Sequence, residues 1–372
     1  MAAHTNGNVS TSTPDLTFDE FFNVINGHLV GTHETRRGIN PSTLEDLPDV
    51  PVATKEDVDD AVQAAREAAD KWAETPLTQR QDAVTRFADA LRSLKDDFAK
   101  MLVREQGKPL MFARAEVDNA VTWLDQHAKL PFPEDIVEET DEKQVVTRYT
   151  PLGVALAIVP WNYPIMLACG KIGPALVSGN ALIVKPSPFT PYCGLKLVEL
   201  AQAFFPPGVI QVLSGNDNLG PWLTAHPLID KVSFTGSTAT GKRVMESCSK
   251  TLKRVTLELV YVHSSIYEEF LAEVVKAAQS LLVGDGFEQN VYMGPIQNAM
   301  QYERVTGFMK DIEKEKWKVA MGGEVSKSSN GRGKGYFINP TVIDNPPDES
   351  RIVVEEPFGP SFASACGYCV SR

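Results

Sequence analysis

The chain is poor in cysteine, in histidine and in basic charge. Five cysteines in 372 residues, irregularly placed, exclude a disulfide-stapled scaffold and indicate a reducing compartment, read here as the cytoplasm. The six histidines are scattered, and none stands with cysteine or carboxylate at metal-ligand spacing, so no metal site is expected. Lys and Arg number 36 against 48 Asp and Glu, a net charge of −12, which argues against nucleic acid or an anionic membrane as partner. The apolar run from Val154 to Pro160 is far too short to cross a bilayer. The N-terminal stretch has no basic or apolar signal region, and Arg36 is the first arginine, against a transit peptide. Cys366-Gly367-Tyr368-Cys369 has redox spacing but no following helix, and reads as a coincidental tail.

What is present describes a globular α/β protein with room for two domains. Residues 1–16 read as a disordered tail rich in Ser, Thr and Asn. Asn26-Gly27, between Phe22-Val24-Ile25 and Leu29-Val30, is a hairpin signal. From Thr54 to about Lys129 the period is helical. Thr54 with Asp57 forms a capping box, and the stripes are Val58/Ala61/Val62/Ala65, Phe87/Leu91/Leu94/Phe98/Leu102 and Val117/Val121/Leu124. After an alternating strand at 144–149, short apolar strands at 153–159, 181–184, 209–213, 231–235 and 254–259 alternate with helices near 164–178, 191–204, 217–225 and 238–250. That rhythm predicts an open, mainly parallel Rossmann-like sheet with helices on both faces and ligands at the carboxyl ends of its strands.

Three such ends carry chemistry. Phe234-Thr235-Gly236-Ser237 reads as strand, sharp turn and helix N-cap, whose first-turn N–H groups and dipole suit a phosphate. An ordinary strand–helix turn explains the same residues. Gly236-x4-Gly241-Lys242 is one residue short of a Walker A loop, because Arg243 stands where Ser or Thr should hold Mg²⁺, and no G-x-G-x-x-G run is present. At the end of the first strand, Asn162 in Pro160-Trp161-Asn162-Tyr163-Pro164 can offer its amide N–H₂ to an oxyanion, or can simply satisfy backbone groups in a turn. Lys185 ends the next strand, where it can meet ribose or phosphate or lie solvated.

In their order and spacing, Val159-Pro160-Trp161-Asn162-Tyr163-Pro164, Gly179-Asn180-Ala181 with Lys185-Pro186-Ser187, Phe234-Thr235-Gly236-Ser237, Thr256-Leu257-Glu258-Leu259 and Glu355-Glu356-Pro357-Phe358-Gly359-Pro360 resemble the aldehyde dehydrogenases, from about residue 20 to 360. The resemblance implies an NAD(P)-binding domain over 17–259, with an oligomerisation strand near 144–149, and a partial catalytic α/β domain over 260–372. It implies NAD⁺-dependent oxidation of a small-molecule aldehyde to its acid: a cysteine attacks, hydride leaves to the nicotinamide and water releases the acid. Asn162 would be half of the oxyanion hole, and Glu258 the general base. Lys185 would bind the adenosine ribose, and Gly236 and Ser237 the pyrophosphate. Pro160 and Trp161 would line the nicotinamide, with Glu356 and Phe358 on its ribose and ring. Some relatives carry a glutamate three residues after the lysine to hold the ribose 2′-hydroxyl. Pro188 stands there, so NADP⁺ stays open beside NAD⁺.

The chain departs from the family where the nucleophile belongs. The family continues Glu-Leu with Gly-Gly-Lys, a strand, a helix and then the cysteine loop, whereas Glu258-Leu259 runs into Val260-Tyr261-Val262-His263. A few dozen residues, the cysteine among them, fall in that gap. Cys169, Cys193 and Cys248 lie in helices as packing residues, and Cys366 and Cys369 follow the last matching motif. The tail 361–372 replaces the family's remaining strands, so a family-type homo-oligomer is in doubt. The leading expectation is a truncated, inactive aldehyde dehydrogenase. The alternatives are a non-catalytic dinucleotide-binding or interaction protein and, last, a P-loop nucleotide hydrolase. Helix 265–282, with the stripe Ile266/Phe270/Leu271/Val274, is expected to lack its packing partners.

Overall fold

The computed structural model describes residues 16–132, 134–256, 275–276, 278–279, 281–323, 335–344, 346–347, 349–355 and 361–364. Glu258, Glu356, Phe358, Cys366 and Cys369 lie outside the described residues, as do the first 15 residues and most of helix 265–282. The chain divides into two compact units, one of residues 1–37, 48–99 and 114–258, the other of 38–47, 100–113 and 259–372. Two short segments that sequence reading assigns to the cofactor domain thus belong to the second unit. The apolar periodicity of a helix continues unbroken across such a division, so it leaves no mark in the sequence.

The first unit opens with β1 (Asn23–Ile25) and β2 (His28–Val30), joined through Asn26 and Gly27 at φ 49° and 82°. A tight hairpin needs that left-handed pair, which Asn-Gly adopts with little strain. A separate two-stranded pair follows, β3 (Thr35–Ile39) and β4 (Asp46–Pro51). Helix α1 (Lys55–Glu74) starts at the expected capping box, Asp57 N–H donating to Thr54 Oγ1 at 3.1 Å and Thr54 N–H to Asp57 Oδ2 at 2.7 Å. The second apolar stripe is divided between two helices, α2 (Leu77–Ser93) and α3 (Lys95–Gln106). They meet at Leu94, which is only half-buried, while Phe87, Leu91, Phe98 and Leu102 are fully buried. Helix α4 (Leu110–His127) buries Val117, Val121 and Leu124. The expected strand at 144–149 forms as β6 (Gln144–Thr147), paired antiparallel with β5 (Asp135–Glu139).

The expected alternation then appears as β7 (Val154–Ile158), α5 (Pro164–Val177), β8 (Ala181–Lys185), α6 (Tyr192–Ala201), β9 (Ile210–Val212), α7 (Leu219–Ala225), β10 (Lys231–Phe234), α8 (Thr238–Ser249) and β11 (Arg254–Thr256). The seven-stranded sheet has the order β11-β10-β7-β8-β9-β1-β2. Neighbours from β11 to β9 are parallel, and the β1–β2 hairpin closes one edge antiparallel. Successive residues of β7, Val154 through Ala157, are all buried although their side chains point alternately to opposite faces. Both faces are therefore covered. Val154, Leu156, Ile183 and Val232 share one core with Val58, Ala61, Val62, Leu219, Leu223 and Val244 of α1, α7 and α8. Each fully buried aliphatic side chain there contributes about 1.5–3 kcal/mol.

In the second unit, α9 (Ala299–Glu315) is capped by Asn298, whose Oδ1 accepts from Gln301 N–H at 2.9 Å, and ends in left-handed Lys316. Its face, Val305, Phe308, Met309 and Ile312, packs with Trp317, Ile338, Ile343 and Ile352. The sheet here is mixed, β12 (Val319–Met321), β13 (Thr341–Asp344) and β14 (Ser361–Ser364). Strand β13 begins directly after Pro340, which supplies no ladder N–H.

Candidate functional site

Strand order places the site. From β7 the chain steps outward through β8 and β9, then returns to the other side of β7 to make β10 and β11. Crevices for dinucleotides open at the carboxyl edge of such a reversal. Two of the motif loops, Pro160–Tyr163 after β7 and Thr235–Ser237 after β10, stand on either side of it. The third is adjacent, because Ile158 pairs in register with both Phe234 and Lys185. The last residues of three neighbouring strands thus form one row, with strands about 4.8 Å apart.

After β10 the backbone turns at Gly236 and enters α8 with Ser237 as N-cap, its Oγ accepting from Thr240 N–H at 3.3 Å. A Cβ at Gly236 would stand 2.6 Å from Cζ of Phe234, so any other residue at the turn would have to displace the ring beneath it. Both Gly236 and Ser237 are exposed, leaving the helix start open to a ligand. This geometry removes the P-loop alternative. Thr238 already begins the helix, and Gly241 N–H donates to Ser237 O at 2.9 Å as an ordinary helical bond. Lys242 and Arg243 consequently lie past the first turn, on the exposed side, rather than at its mouth.

At the end of β8, Lys185 is 8% exposed and donates to Pro186 O at 3.3 Å. Burial, and then the Arg36 guanidinium, push its pKa down to about 8, while Asp217 opposes them. At the end of β7, Pro160, Trp161 and Asn162 are half-buried. Asn162 Oδ1 accepts from Tyr163 N–H at 3.1 Å, so the amide does satisfy a backbone group with its oxygen end. An oxyanion contact would use the nitrogen end.

Two residues that sequence reading passed over organise these loops. Glu116 of α4 is buried, and its Oε1 accepts from Ile165 and Met166 N–H at 2.9 and 3.2 Å. That carboxylate holds the first turn of α5 directly after the Asn162 loop, where the helix dipole favours negative charge. The signal was a charge at i, i+4, i+8 spacing with buried Ala120 and Leu124. Lys171, the one charged residue of α5, donates to Ser233 Oγ at 3.2 Å and Thr235 Oγ1 at 2.9 Å, tying that helix to the end of β10. Cys169, Cys193 and Cys248 are buried to within 1%. Burial and the Glu116 carboxylate raise the Cys169 thiol, and burial raises Cys248, so neither presents a ready thiolate. Among the described residues no cluster of metal ligands occurs, and no helix is long and apolar enough to cross a membrane.

The family model of the aldehyde dehydrogenases matches this chain over residues 29–260 and 259–364. The chain belongs to the aldehyde dehydrogenase family. Among its relatives in sequence is the putative aldehyde dehydrogenase FUS7 of Gibberella fujikuroi, 38% identical over 384 aligned positions that cover 93% of this chain and 80% of the relative. The D-glyceraldehyde dehydrogenase (NADP(+)) of Picrophilus torridus is 30% identical, over 88% of this chain and 75% of its own. Among solved structures, an aldehyde dehydrogenase of Bacillus cereus in complex with NAD⁺ superposes with a TM-score of 0.84 at 31% identity, covering 92% of this chain and 79% of that one. Membership in the aldehyde dehydrogenase family accounts for the sheet order and for the three loops at its carboxyl edge.

Proposed function

We propose that this aldehyde dehydrogenase chain retains the cofactor site of aldehyde oxidation and lacks the covalent step. The observation that carries the cofactor assignment is the row Lys185, Ile158, Phe234 at the reversal of strand order, with a basic group at one end and a glycine turn at the other. The residues present fit a dinucleotide: the helix start at Gly236 and Ser237 is exposed, and a lysine is held ready in a buried position. Lys185 would hold the adenosine ribose, Gly236 and Ser237 the pyrophosphate, and Pro160 and Trp161 the nicotinamide side. Glu356 and Phe358, outside the described residues, carry the family's ribose and ring contacts by sequence alone. The NAD⁺ complex and the NADP⁺-named relative support NAD(P)⁺ as the ligand. When bound, the oxidised nicotinamide accepts a hydride.

Asn162 would donate to the developing oxyanion of an aldehyde, and Glu258 would activate the water that releases the acid. That water needs an acyl-enzyme, and the family's nucleophilic cysteine falls in the gap after Leu259. The family match breaks into two pieces that meet at 259–260, which supports an internal gap there. The alignment to the Gibberella relative supports the same reading: 93% of 372 residues is about 346, leaving about 38 of 384 positions filled by the relative alone. The described cysteines are buried in helices. Losing the nucleophile costs on the order of 10⁶ in turnover.

Calorimetry of the full chain with NAD⁺ and NADP⁺, beside an assay of cofactor reduction with a panel of small aldehydes, tests both parts. Heat of binding without turnover is expected. Vigorous reduction that disappears on mutating one of the five cysteines would overturn the loss of the covalent step. Folded protein giving no heat with either dinucleotide at millimolar concentration would overturn the cofactor assignment.

A further inference from the structure

The neighbourhood of Lys185 holds more positive charge than a ribose hydroxyl requires. Strands β8 and β9 leave the sheet side by side, Val184 being paired with Val212. Beyond β9 the chain forms the loop 213–218 that leads into α7, and Lys185 reaches the first turn of that helix, its Cε lying 3.9 Å from where a Cβ on Gly220 would stand. The same loop receives a second cation. Arg36 of β3 is half-buried and donates from Nη1 to Gly215 O at 3.3 Å. A guanidinium has five N–H donors in a planar fork, and this bond occupies one. The edge also keeps two buried hydroxyls without a hydrogen-bond partner, Ser214 Oγ after β9 and Thr190 Oγ1 after β8. Pro188, two residues before Thr190, brings neither donor nor acceptor in its side chain.

We propose that Arg36 and Lys185 together form a seat for the 2′-phosphate of NADP⁺, and that Arg36 is the residue that makes the chain prefer NADP⁺ to NAD⁺. The inference rests on the cofactor site proposed above and assigns its selectivity. Two cations converging on one loop repel each other, and the Arg36 guanidinium in fact opposes the charged form of Lys185. A dianion set between them turns that repulsion into two charge-assisted contacts, with a bidentate option on the arginine fork. Asp217, a carboxylate that acts on Lys185, lies on the exposed part of the loop, where solvent screens it. A ribose 2′-hydroxyl, being uncharged, would leave the two cations facing one another.

The test is calorimetric titration of the full chain with adenosine 2′,5′-bisphosphate and with 5′-AMP, which differ by the phosphate in question. The bisphosphate is expected to bind at least tenfold more tightly at pH 7, on the scale of one charge-assisted contact. Arg36→Gln should bring the ratio close to one while leaving 5′-AMP affinity within about threefold, and Arg36→Lys should recover part of it. Raising salt should weaken the bisphosphate more than 5′-AMP. Equal or tighter binding of 5′-AMP by the unaltered chain overturns the inference and leaves the cofactor assignment standing. An Arg36→Gln variant that loses both ligands alike also overturns it, since the arginine would then only shape the loop. If neither nucleotide binds to folded protein, both readings fail together.

Discussion

The ends of β8 and β10 lie two strands apart and would meet a phosphate with partners of opposite kinds. At β8 the partner is a full charge, buried at 8% exposure and already stripped of most of its water. At β10 it is neutral backbone, the exposed start of a helix shaped by a glycine that no other residue can replace without moving the Phe234 ring. A desolvated cation attracts an anion strongly, but the unliganded fold carries the cost of burying it. An exposed helix start costs the fold nothing and attracts more weakly, because water competes for its N–H groups. Affinity and stability are therefore opposed at β8 and independent at β10.

The largest effect expected is at the turn. In Gly236→Val the new Cβ meets Phe234 Cζ at 2.6 Å and Cε2 at 3.2 Å, and the ring is itself buried. The ring or the turn must shift, at a cost of about 1–3 kcal/mol in urea unfolding. Dinucleotide affinity should fall on the order of a hundredfold. Parent-like affinity by calorimetry would place the pyrophosphate elsewhere.

Lys185→Met breaks the comparison from the other side, because its two effects have opposite signs. Dinucleotide affinity should drop roughly 10- to 100-fold with the loss of one charge-assisted contact. Stability at pH 7 should rise. The lysine has a folded pKa of about 8 against 10.5 ordinarily, so between those values the unfolded chain binds a proton that the folded chain does not. Stability of the parent must therefore climb as pH rises through that window, and below pH 8 it carries the full penalty. The shift is equivalent to about 3 kcal/mol. The variant should exceed the parent by up to that amount at pH 7, with the gap closing toward pH 10.5. A less stable variant at pH 7 in matched denaturant curves would show that Lys185 is satisfied without a ligand.

Glu116→Gln is the next effect in size. It keeps an acceptor near Ile165 and Met166 but removes the charge that meets the α5 dipole, and about 1–2 kcal/mol of unfolding free energy should go with it. Ser237→Ala should matter least, roughly 0.5–1 kcal/mol, since its capping bond is long and exposed. Its dinucleotide affinity should stay within threefold. A loss comparable to Gly236→Val would mean that the hydroxyl itself holds phosphate.

The strand–helix rhythm from 153 onward was legible because buried parallel strands read as short apolar runs bounded by turn residues. The hairpin turn at Asn26-Gly27 and the capping box at Thr54 were legible because each is set by two or three adjacent residues. The break at Leu94 was hidden, since an apolar stripe keeps its period when one helix hands over to another. Lys185, Asn162 and Gly236 could be named from their place at strand ends. Glu116 and Arg36 could not, because each acts on a loop more than forty residues away in sequence. The assignment of 38–47 and 100–113 to the second unit was equally invisible.

The β1–β2 hairpin has a consequence for how the chain is made. It is fastened to the sheet by residues almost two hundred positions downstream: Asn26 N–H donates to Gln211 Oε1 at 2.8 Å, and Ser214 N–H to Asn23 Oδ1 at 2.8 Å. Val24 pairs with Val212. On a ribosome adding about 5–20 residues per second, the hairpin waits roughly 10–40 s for its docking strand to exist. Through that interval Phe21 and Val24, both buried in the finished protein, are without their cover. The first strand translated is thus installed only after β9 has emerged, with the Asn-Gly turn favouring its hairpin when it docks.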